Sequence, residues 1–358
     1  MTQIKHLPLA QDIETKAVLK KLSKAHTALA ELKGISSTIP NENILINTLA
    51  LQEAKDSSAI ENIITTHDDI YRSDNIARDF ASIAAKEVHS YAAALRYGFE
   101  QVKTQGLLTN SHILQIQASI EENSAGFRKL SGTALKNDAT GEVIYTPPQH
   151  PDEIIDLMSN LEQFINDDER CDWDALTKMA VIHHQFESIH PFYDGNGRTG
   201  RIINILYLVK QGLLKIPVLY LSRYINQHKA DYYHLLQSTR ETDNWQPWLL
   251  FILEGVEQTA QETIVLIEHI KTMMLAFKQK MRSQLPKIYS QDLLNNLFHH
   301  PYTKIEFVVS DLGVSRITAT RYLDELIAIE LLVKRKIGRE NYYINTALYD
   351  LLSNVHQK

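Results

Sequence analysis

The chain of 358 residues has a single cysteine, Cys171, and few residues that interrupt regular structure. One cysteine cannot build an internal disulfide framework or a zinc site with several cysteine ligands. The 13 glycines and 10 prolines amount to roughly half of the ~12% that these two residue types average in proteins. Their scarcity favours a helix-rich protein, and the length suggests about two or three domains.

Long apolar runs and a surplus of positive charge are also missing. No uninterrupted apolar run approaches the ~18 residues of a membrane span, and residues 1–16 lack the apolar core of a signal peptide. The formal net charge of -6 gives the chain as a whole no attraction for nucleic acid or anionic membranes. We therefore expect a cytoplasmic protein with no membrane partner.

Glycine is unevenly distributed, because three of the 13 lie within the sequence HPFYDGNGRTGR at residues 190–201. This sequence connects two stretches with helical periodicity. Free backbone N–H groups at a helix N-terminus, reached closely through Gly195 and Gly197, form an anion site. Arg198 and Arg201 lie on one face of the first helical turn and can bind the outer phosphates of a phosphate chain in bidentate fashion.

Two other side chains of this loop suit phosphate chemistry. Asp194 supplies the hard oxygen ligand that a Mg²⁺ ion bridging two phosphates requires. His190 can be neutral near pH 7 and accept a proton from an attacking hydroxyl group. The spacing differs from the phosphate loop that ends in Gly-Lys-Ser/Thr and from the dinucleotide motif GxGxxG. An ordinary turn is the structural alternative, since a GNG tripeptide alone is common in turns.

Differences in periodicity and in turn residues divide the chain into four segments. Residues 1–105 show helical spacing with little β signal. Residues 106–255 contain further helices, the glycine-rich loop and, at 126–151, a predicted short hairpin followed by a proline-rich strand. Residues 256–285 form one amphipathic pattern, which predicts a connecting helix; an oligomer seam, and with it a homodimer, is the alternative.

Residues 286–358 are predicted to form three helices and a basic hairpin, the order of a winged helix-turn-helix domain. Basic residues lie on the predicted wing and recognition helix, as in a DNA reader. They are Lys334, Arg335, Lys336 and Arg339 on the wing and Arg316 and Arg321 on the helix. Acidic residues balance them almost completely, which weakens phosphate-driven binding. DNA, a protein target and a second copy of the chain are therefore alternative partners.

The loop sequence resembles the pattern HxFx(D/E)GNGRxxR of the Fic (Fido) family at every defined position. GFRK and the residues around YTPP resemble the family's β-hairpin flap, which holds a target segment by main-chain pairing. The likeness covers about residues 5–260. It implies a mainly α fold with a Fic-type helical core at 106–255 and a small β-hairpin flap, followed by the C-terminal winged helix-turn-helix domain.

The resemblance also implies an activity, since such proteins typically transfer AMP from ATP to a Ser, Thr or Tyr hydroxyl of a protein, including the chain itself. His190 would be the general base, and Asp194 would hold Mg²⁺. The residues implied to contact ATP are Glu61, Asp194, Gly195, Asn196, Gly197, Arg198, Arg201, Tyr232 and Tyr233. Among them, the backbone of the glycines and the Asn196 side chain would form an anion hole, and the tyrosines would lie near the adenine.

Residues 57–62 read SSAIEN and resemble the family's inhibitory pattern (S/T)xxxE(G/N). Four-residue spacing puts Ser57 and Glu61 on the same helix face. If Glu61 reaches Arg201, it takes the place of the γ-phosphate, so that ATP binds without presenting its α-phosphate. The structural alternative is an exposed glutamate at the end of a serine-rich helix.

Two other functions use the same residues. Relatives also remove AMP or transfer other nucleotides or phosphocholine at this site, although Asp194 and the complete arginine pair favour a nucleoside triphosphate. A DNA-binding regulator that only senses nucleotide is the third hypothesis.

Four further histidines are assigned structural roles. His183 and His184 point about 100° apart on a helix and are predicted to pack in polar surroundings rather than to share a metal ion. His299 and His300 precede a proline at a helix end and are predicted to be solvated.

Overall fold

The protein is described by a computed structural model that covers residues 4–73, 80–136, 140–338 and 340–354. It is mainly helical, as predicted. The helices are α1 (Lys16–Ser36), α2 (Glu42–Ile60), α3 (His67–Arg72), α4 (Ile83–Gln105), α5 (Asn110–Glu121), α6 (Pro151–Asn166), α7 (Ala175–Ile189), α8 (Asn196–Lys210), α9 (Leu221–Gln227), α10 (Lys229–Thr242), α11 (Gln246–Gln284), α12 (Gln291–His299), α13 (Ile305–Leu312), α14 (Arg316–Ala328) and α15 (Thr346–Asn354), with a 3-10 turn at Asp168–Arg170.

The helices begin where the sequence offers capping side chains. A side-chain oxygen that accepts from a free backbone N–H offsets the donors left open in the first turn. Such caps precede eight helices and are Thr15, Asn41, Thr66, Ser82, Thr109, Asp174, Ser290 and Ser315.

Helices α7 and α8 form the centre of the helical part of the chain that precedes α12. Their side chains are buried on nearly every side, which is the property expected of a central helix. Around them pack α4, α5, α6 and α11. The loop that joins α7 to α8 therefore starts and ends on two rigid, enclosed helices.

Helix α11 is continuous for 39 residues and packs along α1. The Lys21 ammonium forms ion pairs with Glu254 and Glu257 across this contact. The predicted division between residues 255 and 256 falls inside α11, whose first turns belong to the core around α7. That division stays a prediction.

The predicted hairpin consists of two short antiparallel strands, β1 (Leu135–Lys136) and β2 (Val143–Tyr145), with an irregular register. We call this hairpin the flap. The Tyr145 hydroxyl donates a hydrogen bond to the Ser188 carbonyl oxygen at 2.8 Å, and this bond ties β2 to α7.

The C-terminal part contains β3 (Tyr302–Thr303), β4 (Val333–Ile337) and β5 (Glu340–Ile344) in one antiparallel sheet of order β3–β5–β4. Helices α12, α13 and α14 precede the β4–β5 hairpin, which is the element order that the sequence predicted. Its assignment as a winged helix-turn-helix domain stays a prediction, and Arg339 lies outside the described residues.

The C-terminal part packs against the N-terminal helices. The Tyr302 hydroxyl donates to Asp68 Oδ1 at 2.6 Å, and the Tyr342 hydroxyl donates to the Arg72 carbonyl oxygen at 3.3 Å. Helix α12 contacts α2. Within the described ranges, none of the helices is both long and apolar enough to cross a membrane.

Candidate active site

The loop between α7 and α8 is shaped by two residues with positive φ. His190 ends α7 in the left-handed conformation, with φ 49° and ψ 59°. Gly195 has φ 77° and begins α8. A Cβ atom at Gly195 would lie 2.6 Å from Glu121 Oε1, so the position suits only glycine. The first turn of α8 is thereby presented at the end of the loop.

The Asn196 side chain stabilises this loop through two hydrogen bonds to the Phe192 backbone. Its Oδ1 accepts from the Phe192 N–H at 2.8 Å, and its Nδ2 donates to the Phe192 carbonyl oxygen at 2.9 Å. The family resemblance implied an anion-hole role for the Asn196 side chain, but this side chain is hydrogen-bonded within the loop. The backbone N–H groups at the start of α8 are the donors that suit an anion.

His190 is well placed to accept a proton. Burial, assisted by the Arg128 and Arg240 guanidinium groups, lowers the pKa of His190 to about 4. The imidazole is therefore neutral at pH 7. The Arg128 Nε donates to the His190 carbonyl oxygen at 2.8 Å and holds the end of α7 in place.

Arg201 is bound by the two residues of the proposed inhibitory pattern. It is only 2% exposed, and its Nε donates to Ser57 Oγ at 2.8 Å. Its Nη2 donates to Glu61 Oε1 at 2.8 Å and to the Ser57 carbonyl oxygen at 3.0 Å. Burial alone would raise the pKa of Glu61, but the charge and hydrogen bond of Arg201, together with the charges of Arg198 and Lys229, outweigh burial and lower it. The Glu61 carboxylate is therefore ionised.

Glu61 also lies against the backbone of the anion site. A Cβ atom at Gly197 would collide with Glu61 Oε1. A carboxylate in contact with the first turn of α8 occupies the place where a phosphate oxygen would approach. Ser57 and Glu61 thus share a helix face, as their spacing predicted, and that face covers the loop.

Arg198 is held by two carboxylates that sequence reasoning did not identify. Its Nη1 contacts Glu87 Oε2 at 2.7 Å, and its Nη2 contacts Glu121 Oε1 at 2.6 Å. Arg198 is 4% exposed. Glu87 lies on α4 and Glu121 ends α5, and no local spacing relates either of them to the loop. Both arginines of the predicted phosphate clamp are therefore paired with acidic side chains.

Asp194 lies at the solvent-exposed rim of the loop. Its Oδ1 accepts from the Gly195 N–H at 2.7 Å, which orients the carboxylate beside the start of α8. An exposed carboxylate next to an anion site fits Mg²⁺, which keeps several waters and binds through one or two carboxylates plus phosphates. Asp194 is the residue that would hold this ion.

The two predicted adenine-facing tyrosines occupy different environments. Tyr232 is 1% exposed, and its hydroxyl bonds His183 Nε2 at 2.9 Å inside the core. Tyr233 is 43% exposed, and its ring meets the Tyr232 ring edge-on at 5.1 Å. Only Tyr233 presents its ring to solvent, and Tyr232 supports it from within.

The neighbouring histidines were predicted to pack in polar surroundings, which is confirmed only in part, because both also pack against the Trp248 ring. Besides the His183 contact with Tyr232, the His184 Nε2 lies 3.1 Å from the Leu236 carbonyl oxygen. Burial lowers the pKa of His183 to about 3, so it stays neutral.

Arg240 is a further residue that the sequence did not indicate. Its guanidinium lies 4.0 Å from the centre of the Tyr145 ring. Its Nε donates to Ser188 Oγ at 2.9 Å, and its Nη2 donates to the Glu187 carbonyl oxygen at 3.0 Å. Arg240 therefore joins the flap to the end of α7.

Three family models match the chain. They are described as "Fic/DOC family N-terminal" at residues 19–100, "Fic/DOC family" at residues 107–208, and "Protein adenylyltransferase SoFic-like, C-terminal domain" at residues 273–348. The second match contains the loop and the third contains the α12–β5 segment.

Curated relatives carry the name Protein adenylyltransferase Fic. Those from Drosophila ananassae and Drosophila mojavensis are each 30% identical over 112 residues, which are 31% of this chain and 21% of each relative. The chain thus matches about a fifth of the length of these relatives.

Solved structures share the fold. A Fic family protein from Desulfovibrio desulfuricans G20 aligns with TM-score 0.57 and 18% identity, over 92% of this chain and 96% of its own. Fic-1 (aa134–508) from C. elegans aligns with TM-score 0.53 and 19% identity, over 70% of this chain and 73% of its own.

Proposed function

We propose that this chain, which belongs to the Fic/DOC family, transfers AMP from ATP to a Ser, Thr or Tyr hydroxyl of a protein and is inhibited by its own Glu61. The observation that best supports this proposal is the position of the Glu61 carboxylate. It accepts a hydrogen bond from Arg201 and lies close to Gly197, and His190 nearby is neutral. An ionised carboxylate held at these two points imitates a phosphate oxygen.

His190 is the proposed general base. Because its Nδ1 is buried, Nε2 is the nitrogen available to take the hydroxyl proton of the target. The hydroxyl oxygen then attacks the α-phosphorus of ATP. A bond forms between that oxygen and phosphorus, the bond to the β-phosphate oxygen breaks, and pyrophosphate leaves. The backbone N–H groups of Asn196 and Gly197 would stabilise the developing negative charge, whereas the Gly195 N–H is bonded to Asp194 Oδ1.

Asp194 is the proposed Mg²⁺ ligand. The ion, when bound with ATP, would neutralise charge on the phosphates. The chain itself would position the phosphates for in-line attack through the backbone N–H groups at the start of α8 and the guanidinium groups of Arg198 and Arg201.

Transfer requires Glu61 to leave Arg201, because one guanidinium edge cannot bind the carboxylate and the γ-phosphate together. The flap would hold the target segment in extended form through main-chain hydrogen bonds. These roles are carried over from the family resemblance and are supported by the contacts of the loop.

Incubation with α-³²P-labelled ATP, a cell lysate and Mg²⁺ tests this proposal. We expect Glu61→Gly to raise protein-bound label at least about tenfold, because it frees the phosphate site. Adding His190→Ala to that variant should remove about 10²–10⁴-fold of the activity, the range attributed to a general base.

Mass spectrometry of the labelled product supplies the second readout. A mass increase of one AMP on a hydroxyl side chain is expected in the target or in the chain itself. Equal label for wild type, Glu61→Gly and the double variant would contradict the proposal, and label in wild type alone would contradict inhibition by Glu61.

A further inference from the structure

A group of side chains in the C-terminal part has the composition of a transition-metal site. One ring nitrogen each of His299 and His300 and a carboxylate oxygen of Asp311 lie within 4.8 Å of one another. His299 ends α12, His300 follows it, and Asp311 lies in the last turn of α13. The prediction that the two histidines are solvated was wrong, because both are partly buried.

His299 carries a polar atom that the protein leaves unsatisfied. Its Nε2 is buried and has no hydrogen-bond partner among the described residues. A buried nitrogen without a partner costs about 1–3 kcal/mol, so such an atom calls for an explanation. A bound metal ion would satisfy this nitrogen.

The carboxylate of the group is oriented by a buried amide. Asn296 is 2% exposed, and its Nδ2 donates to Asp311 Oδ2 at 2.7 Å. The Oδ1 of the same amide accepts from Thr303 Oγ1 at 2.9 Å, which sets its orientation. Protein metal ligands are characteristically held by a second set of hydrogen bonds of this kind.

The second histidine is also restrained. The His300 Nε2 lies 3.9 Å from Asp311 Oδ2, and its ring packs on the Phe307 ring with centres 4.6 Å apart. The C-terminal end of α12 adds a partial negative charge that favours a cation. Arg96 opposes a cation, because its positive charge acts electrostatically on His299.

We propose that His299, His300 and Asp311 bind one first-row divalent cation of the Zn²⁺ type. Two imidazoles and one carboxylate are a ligand set that suits Zn²⁺ or Co²⁺ better than Mg²⁺ or Ca²⁺. Bonds of about 2.0–2.2 Å require the three side chains to close in by roughly 1 Å, and water completes a tetrahedron. The site braces α12 against α13.

Isothermal titration of the untagged full chain with ZnCl₂, after treatment with EDTA and dialysis, tests the proposal. We expect one ion per chain and a rise in Tm on binding. His300→Ala and Asp311→Asn should each weaken the affinity at least about tenfold. Arg96→Gln should tighten binding, because it removes an opposing charge. Co²⁺ bound to wild type should give the visible absorption of a tetrahedral complex.

His26→Ala is the matched control, because His26 also pairs with a carboxylate, Asp174, at 2.8 Å. This variant should bind Zn²⁺ as wild type does. Absence of binding by wild type, or equal affinity for wild type, His300→Ala and Asp311→Asn, overturns the proposal. Asp311→Asn preserves the shape of the side chain, and circular dichroism verifies that each variant is folded.

Discussion

At the scale of single residues, the candidate active site depends on which anion each loop arginine holds. Arg201 and Arg198 are both buried, and both contact carboxylates in place of phosphates. A buried guanidinium left without a partner costs several kcal/mol, so each arginine exchanges one anion for another rather than becoming free. Under the proposed function, nucleotide would therefore compete with the protein's own acidic side chains for these arginines.

Glu121→Gln tests this competition at Arg198. In the Glu61→Gly background we expect about tenfold tighter binding of ADP and ATP, a gain of ~1.4 kcal/mol, and unchanged binding of AMP. Glu87 still pairs with Arg198 in this variant, so the guanidinium is not left alone. Titration calorimetry with the three nucleotides measures the effect.

Glu122→Gln provides the control, because Glu122 is exposed and pairs with Lys86 away from the loop. If the affinity rises equally for AMP, ADP and ATP, the substitution does not act through the outer phosphates. Unchanged affinity for ADP and ATP would show that Arg198 does not bind them.

The protonation of His190 gives a second prediction at this scale. Its lowered pKa of about 4 keeps the base neutral until the pH falls through that value. Glu61 raises the His190 pKa, so Glu61→Gly moves it further down. We expect kcat/KM of this variant to stay level from pH 7.5 to about pH 5.5. A loss with a midpoint near 6.5, the ordinary histidine value, would contradict the buried environment.

The sequence predicted some residue positions well and others not at all. The spacing of Ser57 and Glu61 placed them on one helix face, and both contact Arg201. The burial of Tyr232 could not be predicted in this way. Nothing in the local sequence indicates which of the two adjacent tyrosine rings, Tyr232 or Tyr233, is enclosed in the core. The role of Glu121 could not be predicted either, because its partner Arg198 is 77 residues away in the chain.

At the scale of elements, α2 connects the proposed inhibitory contact of Glu61 to two buried acidic residues. Glu53 accepts hydrogen bonds from the Ser222 hydroxyl, the Ser222 N–H and the Tyr91 hydroxyl. Burial raises its pKa to about 7, and burial raises the pKa of Asp56, which faces Arg223, to about 6. Both carboxyl groups therefore resist ionisation while α2 is docked.

This arrangement predicts that α2 is held more firmly in acid than in mild base. Because the folded pKa values exceed the unfolded ones, this contribution is complete below about pH 4 and is lost as pH rises through 6 to 7. Tm and the free energy of unfolding should both fall between pH 5 and pH 8. Glu53→Gln should reduce the fall in the free energy of unfolding by an amount on the order of 2–3 kcal/mol. Hydrogen exchange of α2 locates the change. Parallel Tm curves for wild type and Glu53→Gln would contradict it.

The elements show why a sequence predicts helices more easily than their division into domains. Periodicity predicted a helix over residues 256–285, and α11 extends further, from Gln246 to Gln284. The additional turns pack in the core, where apolar residues occur on several sides, and Gly255 at the predicted boundary does not interrupt the helix. The flap was predicted from turn residues at 126–151, and within the described residues its strands have two and three residues with an irregular register.

At the scale of the whole molecule, three of the basic residues of the C-terminal part lie near acidic side chains of the same chain. Arg316 pairs with Glu306, and Arg321 lies 3.7 Å from Glu325 on α14. Arg335 lies 4.0 Å from Asp68 of α3. These acidic neighbours oppose a phosphate backbone, so the contacts favour a protein partner over DNA. DNA binding and a homodimer both stay predictions.

The last prediction concerns the contact between the C-terminal part and α3. Tyr302 donates to Asp68, and α3 follows the inhibitory Glu61 after a short connection. A hydrogen bond to a charged group contributes about 1.5–3 kcal/mol, and its loss should loosen the chain on either side of Glu61. We expect Tyr302→Phe to raise AMP incorporation several-fold, but less than Glu61→Gly does.

A double-mutant cycle with Asp68→Asn separates this hydrogen bond from general destabilisation. If the bond restrains Glu61, the two substitutions together should raise incorporation no more than either one alone. Tyr322→Phe on α14 is the control and should leave incorporation at the wild-type level. Additive effects would mean that Tyr302 and Asp68 act separately. Unchanged incorporation in Tyr302→Phe would mean that the C-terminal part and the inhibitory helix are energetically independent, despite their contact.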